Sequence, residues 1–308
     1  SSVLRVTCNI YVLLRYQFFT KSKSKFKHVN IILFPKLKSN KIVMKPVVQS
    51  LWVGNKLSLL EIYSIKSFLK IGYDFHLYTY EYVEGVPIGT TIKDGNQILL
   101  EENIFLLKKT LLPFADIFRY RMLYLNGGYW VDLDMIAIKK FTFNEDYIFS
   151  SERTMINGAF KMKDPNEPDG IKKYIANIGV LKAPKNSKFY KELYDKCMKY
   201  QNKGINKDKL KYMRMLRKQI TEYNYEKFIK PPEYFCHLDW WHSKDAFMPV
   251  NEFKMKYGVK SKSIESMFQI PYTVHLWRDL VTKKYKLDLN ANYDERCFWE
   301  LIKKMIDN

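Results

Sequence analysis

The chain has 308 residues, 47% hydrophobic and 16% aromatic, which suits one large α/β core, or a core with an inserted lobe, and excludes a disordered chain. Its 52 Lys+Arg against 32 Asp+Glu give a net charge of +20, which suits an anionic ligand, a membrane surface or nucleic acid without choosing among them. No apolar run of about 20 residues exists, so no transmembrane helix is expected, although peripheral membrane contact stays open. The four cysteines, Cys8, Cys197, Cys236 and Cys297, are widely spaced with no C-x-x-C, and read as reduced thiols by default.

Residues 1–43 hold no acidic side chain; the first in the chain is Glu61. Ile10 to Phe19 is apolar but broken by Arg15, and Lys21-Ser-Lys-Ser-Lys-Phe-Lys27 follows, which is no signal-peptide pattern. This basic leader reads as a targeting segment, a membrane-surface arm, or sequence upstream of a start at Met44. We take the last, with 44–308 as a single domain. Val47 to Val53 reads as a buried first strand with Trp52 at its C-terminal end, where open α/β sheets bind ligands. Ser58-Leu-Leu-Glu61 is a capping box opening a helix to about Gly72, and Phe75 to Glu81 alternates as a second strand. Strand–helix–strand implies a parallel sheet. Neither G-x-G-x-x-G nor a Walker sequence follows the first strand, which counts against a dinucleotide dehydrogenase and a P-loop ATPase.

Val86 to Asn96 reads as a loop. Two helical stretches follow, about Glu101–Leu112 and Phe114–Leu125, separated at Pro113. Asp116 and Arg119 share a face of the second. They read either as an internal salt bridge or as a pair reaching for hydroxyls of a bound sugar. Leu125-Asn-Gly-Gly-Tyr-Trp-Val-Asp-Leu-Asp-Met135 then ends a helix, turns and opens a strand. Extended, that strand would project Asp132 and Asp134 from one face with Trp130 beside them. Two close carboxylates repel unless a cation lies between them, so the pair is a candidate metal–phosphate site. D-x-D alone is a weak signal; its apolar frame strengthens it.

Lys172 to Lys182 reads as a further strand, with Asn177 and Gly179 near its middle. Asn186 to Asn202 reads as an amphipathic helix. Residues 200–232 read as a helical surface insertion, basic and Tyr-rich: a solvated face, or a grip on a phosphorylated polymer. The aromatic cluster around Asp239, Trp240, Trp241 and His242 suits either sugar binding or core packing, and is a candidate acceptor site. Thr273 and His275 would share one face of a short strand, and imidazole beside a carboxylate pair is a credible third metal ligand. Arg278 is a candidate cation for a leaving diphosphate. Asp294 to Ile306 closes as an amphipathic helix.

Taken together, the strand ending in Trp52, Ala115-Asp-Ile-Phe-Arg-Tyr-Arg121, Gly127-Gly-Tyr-Trp-Val-Asp-Leu-Asp134 and Val274-His-Leu-Trp277 resemble the DXD-motif retaining glycosyltransferases. That group includes yeast-type initiating mannosyltransferases and globoside-synthase-like enzymes. The chain is similar, more distantly, to the glucosylating domain of large clostridial toxins. The resemblance spans roughly residues 46–280. It implies a GT-A type, Rossmann-like mixed sheet flanked by helices, with a C-terminal helical insertion. It also implies a nucleotide-sugar donor, Mn2+ or Mg2+, and retention of anomeric configuration.

Carried over residue by residue, Trp52 would stack on the donor base. Asp116 and Arg119 would contact donor-sugar hydroxyls, and Asp132 ribose or sugar. Asp134 and His275 would bind the metal, Trp277 would lie near the diphosphate, and Asn177 would line the sugar site. The toxins have Tyr two before the first Asp where this chain has Trp130. A UDP-sugar is the favoured donor and GDP-mannose the alternative; the acceptor would be a hydroxyl of a glycan or glycoconjugate. No carboxylate stands out as a covalent nucleophile, so front-face attack is expected. The competing class, a basic protein binding nucleic acid or another polyanion, leaves the ordered motifs unexplained, and no specific nucleic acid is expected. A soluble, cytoplasmic bacterial or viral enzyme fits better than a Golgi one.

Overall fold

The computed structural model describes residues 46–153, 174–204, 208–249 and 264–308, together with the backbone of six short strand segments elsewhere. The chain separates into two compact units, Ser1–Val43 and Met44–Asn308. In the first, Leu4–Val6 pairs antiparallel with Ile10–Val12. The leader reading otherwise falls outside the described residues, as does Cys8. The elements below belong to the second unit.

Its centre is a six-stranded mixed sheet. In chain order the strands are β1 (Val47–Leu51), β2 (Asp74–Thr79), β3 (Thr91–Asp94), β4 (Gly128–Val131), β6 (Ile148–Arg153) and β7 (Tyr174–Ala183). Their spatial order is β3-β2-β1-β4-β7-β6. The β3, β2, β1 and β4 strands run parallel, and β7 is antiparallel to both β4 and β6. The short β5 (Met135–Ala137) leaves this sheet and pairs antiparallel with β8 (Thr273–His275). That is how residues far apart in the chain come to share one edge.

Helices cover both faces. On one side, α1 (Leu59–Lys70) packs Ile65 and Phe68 onto Val48, Phe75, Leu77, Tyr129 and Val131. On the other lie α2 (Leu112–Asn126), α3 (Lys188–Gln201) and α4 (Lys211–Glu222), packed through Phe118, Met122, Phe189, Leu193, Tyr212 and Leu216 against Trp130, Ile178 and Leu181. Tyr129 and Val131 face one side of the sheet and Trp130 the other, the period of two that a strand imposes. Although basic on its outer face, α4 therefore completes a core with its apolar stripe. The last helix, Phe298–Asp307, packs Phe298, Trp299 and Ile302 beside Val274 and Leu276.

Three expectations change. The 86–96 stretch contains β3, an edge strand whose polar Thr-Ile-Lys-Asp sequence shows little β pattern. Instead of the expected helix over 101–112, a 3-10 turn at Glu101–Asn103 gives way to a tight hairpin in which Leu107 and Thr110 bond each other, and α2 begins only at Leu112. Lys108 and Lys109 occupy its tip with φ of +51° and +60°. Pro113 then sits in the first turn of α2, where a missing N–H leaves nothing unpaired. Finally, β4 stops at Val131, so Asp132 and Asp134 lie in the turn after the strand rather than on its face.

The turn that aims β4 is fixed by glycine. Gly127 (φ +66°) closes α2 by donating to Leu123 O, and its carbonyl accepts from buried Gln49. A Cβ at Gly127 would lie 2.4 Å from Lys185 N, whereas one at Gly204 (φ +65°) would meet nothing within 4 Å. Gly127→Ala is therefore expected to cost about 1–3 kcal/mol more than Gly204→Ala, by urea denaturation. Equal losses would remove the steric account.

Candidate active site

The cleft opens at the C-terminal edge of the parallel strands and encloses about 660 Å³. It is lined by Trp52, Arg119, Trp130, Asp132, Asp134, Asn177, His275, Trp277 and Arg278, so residues read from five separate stretches of sequence meet in one cavity.

Asp132 is positioned from three sides. Its N–H donates to Gly179 O at 2.9 Å, which ties the turn to β7. Its Oδ1 accepts from Arg119 Nη1 and from Trp130 Nε1, each at 2.8 Å. Arg119 Nη1 also reaches Ile178 O at 2.9 Å, and the guanidinium lies over the Trp130 ring, 4.8 Å from its centroid. Behind it, fully buried Asp116 sits 3.4 Å from Arg119 Nη2. Asp116 thus supports Arg119 from inside the fold rather than lining the cleft. Burial raises its carboxyl to about 7, with Arg119 pulling against and Asp132 adding to the rise. Burial also raises Asp132, against the pull of Arg119 and with the help of Asp134.

Asp134 Oδ2 lies 3.1 Å from His275 Nε2 and accepts from Arg278 N at 2.9 Å. The β5–β8 pairing makes this contact: His275 stands opposite Met135, and Leu276 N donates to Asp134 O. Burial opposes charge on both groups. Attraction wins, holding His275 well above the usual histidine range and Asp134 below the usual carboxylate range. The His275 ring stacks on Trp277 at 3.8 Å and 23°; Trp277 itself adopts φ +56° and donates Nε1 to Leu238 O. One ligand atom from each of Asp132, Asp134 and His275 lies within 4.8 Å of the others. Oxygen plus imidazole donors converging on a cleft suit a hard or borderline divalent cation.

Arg278 donates Nε to Glu61 Oε1 at 2.6 Å, and its guanidinium stands over Trp52, 5.5 Å from the ring centroid. Glu61 is the capping-box residue of α1, receiving Ser58 N at 2.8 Å, so its second duty toward the cleft was not legible from the cap motif. Asn177 reaches the cleft through a register shift in β7 between Ala176 and Leu181. Ser150 Oγ fills the interrupted ladder by accepting from Val180 N, and Asn177 Oδ1 accepts from Gly179 N at 2.6 Å.

The sequence reading missed Glu152, a carboxylate on the cleft wall that takes Asn177 Nδ2 at 2.5 Å. Burial lifts its carboxyl above the usual value, against Asn177 and Arg217. The Asp239–His242 cluster is not part of the cleft lining. Asp239 accepts from Arg153 at 2.8 Å, His242 pairs with Asp245, and Trp240 packs edge-on against Trp241. Its neighbour Leu238 touches the site by accepting the Trp277 hydrogen bond. A second, smaller cleft of about 320 Å³ carries Lys196, Lys199, Lys203, Lys211 and Lys218 between α3 and α4. Cys197, Cys236 and Cys297 are free and buried, and among the described residues no helix is long and apolar enough to cross a membrane.

Compared with known proteins, the sequence matches no family model and no curated protein. Among solved structures, it is similar to one titled PaToxG Glycosyltransferase at 16% identity and a TM-score of 0.40, over 58% of this chain and 70% of that one. It is also similar to the apo-form glycosyltransferase GlyE of Streptococcus pneumoniae TIGR4 at 13% identity and a TM-score of 0.35, over 62% of this chain and 46% of that one.

Proposed function

We propose that this chain is a metal-dependent retaining glycosyltransferase that moves a hexose from a nucleotide sugar, a UDP-sugar in the first instance, to a hydroxyl of a glycan or glycoconjugate. The observation that carries this is the convergence of Asp132, Asp134 and His275 on a large cleft, between the cationic side chains Arg119 and Arg278. Asp134 and His275 would hold Mn2+ or Mg2+, with Asp132 beside them. Bound there, the cation would offset charge developing on the departing diphosphate.

The chain's own residues do the rest. Trp52 offers a face for the base, and its indole Nε1 is buried without a partner among the described residues. Arg278, held by Glu61, places a second positive charge beside the leaving group. Arg119 orients Asp132 and favours its ionised form against the effect of burial. Asn177 presents its amide to the sugar. The bond from the anomeric carbon to the diphosphate breaks and the bond to the acceptor oxygen forms on the same face, its proton passing to the diphosphate.

The test is a panel of UDP-glucose, UDP-galactose, UDP-GlcNAc and GDP-mannose, assayed for hydrolysis and transfer with Mn2+, with Mg2+ and with EDTA. One donor turned over in metal and silent in EDTA is the expected result. Turnover indifferent to EDTA would remove the cation from the reading, and no turnover with no donor-induced rise in Tm would remove the enzyme.

A further inference from the structure

Glu152 and Arg217 have no role in the reading above, yet they meet at the cleft. Glu152 is on β6, at one edge of the sheet, and lines the cavity. Its Oε2 accepts from Asn177 Nδ2 at 2.5 Å, whereas its Oε1 lies 3.7 Å from Arg217 Nη2, beyond hydrogen-bond range. Arg217 is anchored separately, donating Nε to Ala176 O at 2.8 Å. The guanidinium therefore sets where the carboxylate sits and leaves Oε1 with capacity for another donor. The other cleft carboxylates are engaged: Asp132 by Arg119 and Trp130, Asp134 by His275 and Arg278, Glu61 by Arg278 and the start of α1, and Asp279 by Lys283.

Strand order says which donor Oε1 awaits. Across the cleft the sequence is β1 with Trp52, β4 with the metal-site aspartates following it, β7 with Asn177, and β6 with Glu152. Adjacent strands lie about 4.8 Å apart, so Glu152 stands roughly 14 Å across the sheet from Trp52, with the metal cluster between. A nucleotide sugar with its base on Trp52 and its diphosphate at the cluster points its anomeric carbon toward β7 and β6. What lies beyond that carbon is the acceptor.

Resting on the glycosyl-transfer reading, we propose that Glu152 receives the hydrogen bond of the incoming acceptor hydroxyl, or of one O–H of water when the donor is hydrolysed, and holds the nucleophile until its proton turns to the departing diphosphate as the anomeric bond breaks, and that Arg217 of α4 positions it. The basic helix would then belong to the acceptor side of the site, where Leu210 and Met213 join it on the cleft wall.

Water is always available as acceptor, so the test needs no acceptor identity. For whichever member of the four-donor panel binds tightest with Mn2+, Kd is measured by calorimetry and hydrolysis kcat by nucleotide release. Glu152→Gln is expected to lower kcat about 10²-fold with Kd changed less than about twofold. Arg217→Ala should lower kcat roughly tenfold and Arg217→Lys should restore part of it, since a positive charge is kept without the fork. A tenfold loss of donor affinity in Glu152→Gln would instead make it a donor-sugar contact and overturn the proposal. So would an unchanged kcat, or a glycosyl adduct on Glu152 in the mass spectrum. Wild-type protein that binds no donor sinks glycosyl transfer itself; donor binding with a silent Glu152→Gln sinks this assignment alone.

Discussion

Asp134→Ala is expected to reduce metal-dependent turnover at least about 10³-fold while leaving the fold intact. Among the described residues the side chain pairs with His275 and the Arg278 amide, and neither belongs to the hydrophobic clusters that join sheet and helices. Removing it takes away a proposed metal ligand and releases His275, which that carboxylate helps hold above the usual histidine range. The measurement is donor hydrolysis in Mn2+ beside Mn2+ affinity by calorimetry. Loss of both together, at unchanged far-ultraviolet circular dichroism, is the expected pair. Retained Mn2+ affinity would mean that the cation is held elsewhere.

Arg119→Ala is expected to act on stability as much as on chemistry. Arg119 is 3% exposed and serves Asp132, Asp116 and the Ile178 carbonyl together. Its removal leaves buried carboxylates without a counter-charge, a loss on the order of 3–5 kcal/mol by urea denaturation at neutral pH. The pH dependence has a definite sign. The folded pKa of Asp116, about 7, stands above its ordinary 3.8, so its contribution favours folding most at low pH and fades as pH rises through about 7. Without Arg119 the carboxyl is harder still to ionise, and the variant should lose less stability at pH 5 than at pH 8. A loss independent of pH would place the defect in packing over Trp130 rather than in charge.

Much of the site was legible because its residues sit in short patterns with a local physical cause. Gly127 and Gly128 need left-handed backbone to end α2, and the motif they introduce carries Asp132 and Asp134. The Pro-Tyr-Thr-Val-His pattern supplied His275. What stayed hidden depends on pairing between distant segments. Glu152 looks like any strand-end carboxylate until the register shift in β7 turns Asn177 toward it, and Arg217 is one of many basic residues until α4 docks. The apolar 101–112 stretch suggested a helix because nothing in Leu-Lys-Lys-Thr announces a hairpin with two lysines in left-handed conformations. The Asp239–His242 cluster, read as a candidate acceptor site, lies outside the cleft lining: Asp239 pairs with Arg153, His242 with Asp245, and Trp240 packs edge-on against Trp241.

Glu61 ties the start of a helix to the candidate site. The carboxylate that closes the first turn of α1 is also the seat of Arg278, whose backbone amide in turn holds Asp134. A substitution there would register in an abundance screen as a poor folder and in a binding screen as a poor site. Neither screen alone would reveal that both losses have one cause. Second-site suppressors of such a substitution should come from α1 and from the Arg278 loop alike.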